Sequence, residues 1–308
     1  MDPLTHALVG GMVAKSIGTD RRRFWLMMFM GVAPDLDFLL SGLGGWAAIF
    51  HHRGLTHSFV GVVIQAVLYA AAFGRWDRGP FRIRAWQYSL PLALHVFCDY
   101  LTSFGVPLLS PFSFHDFSAD LVTGLNIIPA AFMLTGLAWM HYQDQLGWRA
   151  VRPLWIIWGI YLSLSMSGKA YADRCITCPR PATVLPTMYN PFAWRAVYTD
   201  PVTHTYHEDV VDLLNGQTKA GAALPMTDGD FPVQASLKSN QVQSFLHDVR
   251  WPLARVQPHQ SGWTVQWGNL LFSHKGLVRG KVEVEISSDG KIISEKRIFN
   301  FWNPDPIS

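Results

Sequence analysis

The stretch Ser58-Phe59-Val60-Gly61-Val62-Val63-Ile64-Gln65-Ala66-Val67-Leu68-Tyr69-Ala70-Ala71-Ala72-Phe73 contains no Asp, Glu, Lys or Arg, and neither do Leu125–Met140 and Leu154–Gly168. Each is slightly short of the roughly 20 apolar residues that cross a bilayer core, and uncharged flanks extend it. One such run suits a buried soluble helix. Several within the first 170 residues, separated by arginines, predict a membrane bundle. The chain of 308 residues is 49% hydrophobic and only 15% charged, with 13 Trp and 19 Phe, which fits that reading. The expected fold is therefore mainly α: a polytopic transmembrane helical bundle over residues 1–172, followed by a small soluble α+β domain over 173–308.

Six helical segments are drawn at about 4–18, 24–43, 57–74, 86–104, 125–141 and 153–171. Basic residues alternate between the connections. Arg21, Arg22 and Arg23 fill the first, Arg75, Arg78, Arg82 and Arg84 the third, Arg149 and Arg152 the fifth. The second has only Arg53, and the fourth, Ser110–Gly124, has no Lys or Arg. The positive-inside rule then predicts a multi-pass protein of a bacterial inner membrane, with the C-terminal domain in the periplasm. Met1-Asp2-Pro3 does not open a cleavable signal peptide. In the C-terminal part, Trp263–Phe272, Lys281–Ile286 and Lys291–Phe299 read as strands with a turn at Ser288-Asp289-Gly290, and Val210–Leu214 and Gln241–Val249 as short helices.

Ionisable groups inside membrane helices are costly, so those present call for a reason. The first hundred residues contain His6, Asp35, Asp37, His57, His95 and Asp99, with no Lys or Arg read at comparable depth. Imidazoles and carboxylates without internal cations need another positive charge, and a divalent metal, Zn2+ or alternatively Mn2+, supplies it. His95 and Asp99 are four apart and share a helix face. Asp35 and Asp37 are two apart, and Pro34 is expected to break the helix so that both turn inward. His52 and His57 bracket Arg53-Gly54-Leu55-Thr56, with Thr56 as an N-cap. The expected metal ligands are His6, Asp35, Asp37, His52, His57, His95 and Asp99. Asp35 or Asp37 would take a proton from water, and Arg53 would pair with a phosphate or a lipid headgroup. Thr5-His6-Ala7-Leu8-Val9-Gly10 and Thr56-His57-Ser58-Phe59-Val60-Gly61 echo each other and suggest a duplicated helix pair.

Structural readings of the same residues stand beside these. A histidine at a helix start also serves as a cap, Asp35 or Asp37 as an N-cap after Pro34, and His95 with Asp99 as interhelical glue. His115, Asp116 and Asp120 suit a solvated loop, and His204, His207 and Glu208 a surface strand. Cys175 and Cys178 are spaced for a small disulfide, and Cys98 is an apolar filler. No phosphate-cradling glycine loop and no basic nucleic-acid stripe is present, so no nucleic-acid partner is expected.

Met1-Asp2-Pro3-Leu4-Thr5-His6, Pro34-Asp35-Leu36-Asp37, His52-Arg53-Gly54-Leu55-Thr56-His57-Ser58 and His95-x-x-x-Asp99 with Leu101-Thr102-Ser103-Phe104-Gly105 resemble the YdjM/YbcI-type family of inner-membrane, metal-dependent hydrolases. Asn190-Pro191-Phe192-Ala193-Trp194-Arg195 resembles the segment that opens that family's extramembrane domain. The resemblance implies a membrane-bound hydrolase with membrane lipid around it. A more distant likeness to the zinc-dependent phospholipase C fold implies a phosphoester or lipid-linked substrate, on this topology near the outer half of the membrane. Two other classes remain: a non-catalytic membrane protein with a structural metal or polar network and a partner-binding periplasmic domain, and a transporter of metal ions or protons.

Overall fold

The structure is a computed structural model and describes residues 1–37, 53–124, 127–176, 181–187, 190–200, 202–221, 223–225, 229–247, 249–274, 277–278, 281–298 and 305–306. The chain divides into two compact units, Met1–Lys169 and Ala170–Ser308.

The first unit is helical. α1 (Pro3–Ser16) starts where the Asp2 carboxylate accepts from the Thr5 N–H at 2.9 Å, with Pro3 in the first turn, where its missing N–H costs nothing. α2 (Arg21–Val32) is capped in the same way by Asp20. α3 (Phe59–Ala72) is capped by Ser58, whose hydroxyl accepts from the Gly61 N–H at 3.0 Å. The cap is therefore Ser58 rather than Thr56, which lies in a short 3-10 turn, Leu55–His57. α4 (Phe81–Tyr100), α5 (Ile127–Tyr142) and α6 (Trp148–Cys175) follow. Leu8, Met12, Met27, Met30, Tyr88, Leu92 and Leu137 are buried together in the core.

α1 and α2 touch backbone to backbone. A Cβ at Gly10 would strike the Met27 carbonyl, and one at Gly31 the His6 carbonyl. Only glycine permits that approach, which brings His6 close to the end of α2.

The expected polytopic transmembrane bundle is not what this chain forms. Among the described residues, no helix is long and apolar enough to cross a membrane. The reason is length for some helices and charge for others. α3 and α5 have 14 and 16 residues, about 21 and 24 Å at 1.5 Å per residue, against a hydrocarbon core of about 30 Å. α4 has the length but contains Arg82, Arg84 and Asp99, and α6 contains Arg149, Arg152, Lys169, Asp173 and Arg174. The sidedness argument needs spanning helices, so the multi-pass topology and periplasmic placement lose their support with them.

Some arginines that looked like topological markers hold loops instead. Arg23 Nε donates to Asp77 Oδ2 at 2.8 Å, and the Tyr88 hydroxyl donates to the same oxygen at 2.9 Å. Arg84 donates to the carbonyls of Ala70, Asp77 and Gly79. Together they fix the turn between α3 and α4.

The second unit is built on antiparallel sheets. β1 (Ala182–Pro186), β2 (Ala193–Asp200), β3 (Thr205–Asp212) and β4 (Gln217–Lys219) pair in that order, with β5 (Ala223–Pro225) also on β3. The expected helix at Val210–Leu214 is thus largely strand: Val211 is buried and pairs with Trp194 of β2. In a second sheet the order is β11-β10-β7-β6, from β6 (Pro252–His259), β7 (Gly262–Asn269), β10 (Lys281–Ser287) and β11 (Ile292–Ile298). Val282, Val284 and Ile286 alternate inward on β10, against α7 (Phe231–Ser236) and α8 (Asn240–His247). β8 (Ser273–His274), β9 (Leu277–Val278) and β12 (Asp305–Pro306) form a third, minimal sheet.

Candidate metal centre

Pro34 ends α2 at Val32, and Ala33–Leu36 continues as a tighter 3-10 turn. That change lets Asp35 and Asp37 address one histidine from its two sides. Asp35 Oδ1 lies 3.5 Å from His57 Nε2, and Asp37 Oδ2 lies 3.4 Å from His57 Nδ1. His57 itself is fully buried in the 3-10 turn before α3. α4 contributes His95 and, one turn later, Asp99, both buried.

Asp35, His57, His95 and Asp99 form a group that can hold a metal ion. All four ligand atoms lie within 4.8 Å of one another, and five of the six separations are 3.1–3.8 Å. His57 Nε2 is 3.1 Å from His95 Nε2 and 3.5 Å from Asp99 Oδ2. His95 Nε2 is 3.5 Å from Asp35 Oδ1 and 3.8 Å from Asp99 Oδ2. A tetrahedral ion with bonds of about 2.0–2.2 Å spaces its ligand atoms by about 3.3–3.6 Å.

The protons point the same way. His95 Nδ1 lies 2.7 Å from the Gly31 carbonyl, which can only accept, so Nδ1 carries the proton and the Nε2 lone pair faces His57. His57 Nδ1 lies 3.0 Å from Thr56 Oγ1, and the Thr56 hydroxyl donates to Asp37. Burial opposes protonation of His57, but its hydrogen bonds to Asp35 and Asp37 outweigh this and raise its pKa. Its Nε2 lies 3.1 Å from the His95 Nε2 lone pair, so a proton or a metal ion fits between the two nitrogens, beside the carboxylates of Asp35 and Asp99. Asp99 Oδ2 is also buried with no hydrogen-bond partner among the described residues. Burial drives the His95 imidazole strongly towards its neutral form, the form that ligates metal. Burial also opposes ionisation of Asp35, but its hydrogen bond to His57 outweighs this and holds it at about 2.

The remaining expected ligands take other places. His6 stacks on His95 with ring centroids 3.8 Å apart and places Nε2 3.2 Å from Asp99 Oδ1, on the far oxygen from the group of four. Asp37 sits behind His57, buried, and also accepts the Arg53 backbone N–H at 3.2 Å. His52 lies outside the described residues, as does Cys178, with which Cys175 was expected to pair. The absence of nearby cations needs correcting: Arg53 Nε lies 3.5 Å from Asp99 Oδ2, and the Met1 amine contacts Asp99 Oδ1. Both come from parts of the chain far in sequence from α4, and only folding brings them to Asp99. His115 is exposed in its loop, Asp120 is buried 3.9 Å from Lys169, and Glu208 pairs with Arg195 at 3.2 Å. His207 stacks on Tyr198. Neither His115 nor Asp120 belongs to the group of four. The sequence also gave no signal for the Gly31 carbonyl, because backbone acceptors carry no residue signature.

Partners behind ligating histidines fix their tautomer, and losing one typically weakens metal binding about 10- to 100-fold. Asp37→Ala is expected to raise the zinc dissociation constant by that factor, measured by competition with a chromophoric chelator. An unchanged constant would show that Asp37 does not orient His57.

The site and unit together define a class: a helical unit with a buried His/Asp group that can hold a metal ion. A family model described as YdjM inner membrane protein matches residues 1–172, more than half of the chain, and the chain belongs to that family. The matched region contains the whole centre and stops before Asn190–Arg195. No curated protein and no solved structure matches the chain.

Proposed function

We propose that this chain is a metal-dependent hydrolase and that its metal is zinc. The observation that carries the reading is the asymmetry of burial within the group. The side chains of His57, His95 and Asp99 are 0–1% exposed, whereas that of Asp35 is 18% exposed. With His57, His95 and Asp99 as the ligands and Asp35 left as the base at the exposed side, one position stays open for water, the pattern of catalytic zinc, whereas structural sites close all four. Two imidazoles and carboxylate oxygen suit zinc, with manganese the second choice.

A bound divalent ion polarises an ester oxygen and makes water a nucleophile near neutral pH. The residues divide the remaining work. His57 and His95 are held by Asp37, Thr56 and the Gly31 carbonyl, so their Nε2 atoms stay aimed at one point. Asp35, ionised and at the open side, accepts the proton that the attacking water gives up.

The test is hydrolysis of nitrophenyl esters (acetate, phosphate and bis-phosphate) by the detergent-purified full chain. The rate on at least one ester is expected to disappear on chelation and return with zinc. Zinc bound stoichiometrically without any chelator-sensitive hydrolysis would leave a structural metal and defeat the hydrolase reading.

A further inference from the structure

We infer that Arg53 is a phosphoryl-binding residue and that the group presented to the metal centre is a phosphoester. The catalytic sense of this rests on the hydrolase reading, while the binding test below does not.

Two arginines of the helical unit, Arg23 and Arg84, are fully engaged. Arg23 gives its guanidinium to Asp77 and Gln87, and Arg84 gives its own to three backbone carbonyls. Arg53 differs. Its guanidinium makes no hydrogen bond among the described residues, and its Nε is buried without a hydrogen-bond partner. The nearest carboxylate oxygen, Asp99 Oδ2, is 3.5 Å from Nε, longer than a normal N–H···O bond. That oxygen belongs to the metal group, so the guanidinium borders the centre.

The side chain is nevertheless held in place. Its Cζ lies 4.5 Å from the centroid of the Phe104 ring, a contact that orients a planar cation. Its backbone has φ 67°, a region few non-glycine residues adopt, and its N–H is fixed on Asp37 at 3.2 Å. A rotamer-rich cation is thus kept beside the centre, still 18% exposed, ion-paired with Asp99 but with no side-chain hydrogen bond among the described residues. A guanidinium fork matches two ionised oxygens on one atom, as a phosphoryl group offers. A carboxylic ester or an amide has no ionised oxygen to fill it. The phosphoryl group can belong to a soluble phosphoester or to a lipid headgroup.

Two variants separate the fork from the fold. Arg53→Gly removes the guanidinium and suits the left-handed backbone. Arg53→Lys keeps a cation beside Asp99 but loses the fork. Calorimetry on the zinc-loaded full chain would use inorganic phosphate and dihexanoyl phosphatidic acid as probes. Arg53→Gly is expected to weaken binding of at least one probe by about 10- to 100-fold, and Arg53→Lys by less, with zinc content unchanged. Weakening with inorganic phosphate alone points to a soluble phosphoester; weakening that includes phosphatidic acid points to a lipid headgroup. Probes that wild type does not bind, or that Arg53→Gly binds as well as wild type, would overturn the inference while leaving metal and hydrolysis untouched. Failure of the hydrolase reading is seen separately, as zinc binding without chelator-sensitive turnover.

Discussion

His95→Ala is expected to reduce bound zinc from about one equivalent per chain to a trace, because it removes one of three closed ligands. The variant removes no charge of its own: burial drives His95 to its neutral form, and its other nitrogen meets the Gly31 carbonyl. Asp99→Asn should lose metal too, but with a larger structural cost. Arg53 and the Met1 amine both face that carboxylate, and breaking a buried ion pair by removing one partner costs about 3–5 kcal/mol. The partial exposure of Arg53 lowers its share. The pair of variants therefore separates ligation from folding. Elemental mass spectrometry on purified protein, with thermal unfolding alongside, makes the measurement. Wild type with far less than one equivalent of any transition metal, after zinc or manganese supplementation, would remove the metal centre. A His95→Ala variant with full metal content would move it to other residues.

Asp35→Asn is expected to lower kcat by about 10²- to 10⁴-fold, the usual worth of a positioned general base, while zinc stays bound. Asn keeps the shape and an oxygen for the centre but cannot accept a proton from water. The prediction differs from that for His95, where metal and activity vanish together. Metal content and chelator-sensitive turnover measured on the same preparation distinguish them. An Asp35→Asn variant that turns over at the wild-type rate would assign the proton to another group. One that loses its zinc would make Asp35 a fourth structural ligand and favour a closed, non-catalytic site.

Much of the centre was legible because its residue types are expensive where they lie. His57, His95, Asp35 and Asp99 stood out in an apolar background, and i, i+4 spacing placed two of them on one face. The echo between Thr5-His6 and Thr56-His57 also has a spatial meaning: both imidazoles pack against His95, one stacked and one edge-on at 5.0 Å. Bundle topology was the misleading part. Apolar runs were read as spans by composition, and the helices that formed were either too short or too charged to cross.

The sequence alone determined which residues could hold a metal and where Pro34 breaks the chain, since each is local and set by side-chain type. Tertiary structure alone decided what each of those residues does. Asp35 and Asp37 are near neighbours in the chain, yet one joins the group of four and the other braces His57 from behind. Arg53 reaches Asp99 only through folding, and the Gly31 carbonyl meets His95 across a helix pair that two glycines let close. The physical reason is that ligand sets and ion pairs depend on distances of a few ångströms between segments remote in sequence. Residue type and local spacing do not encode those distances; packing does.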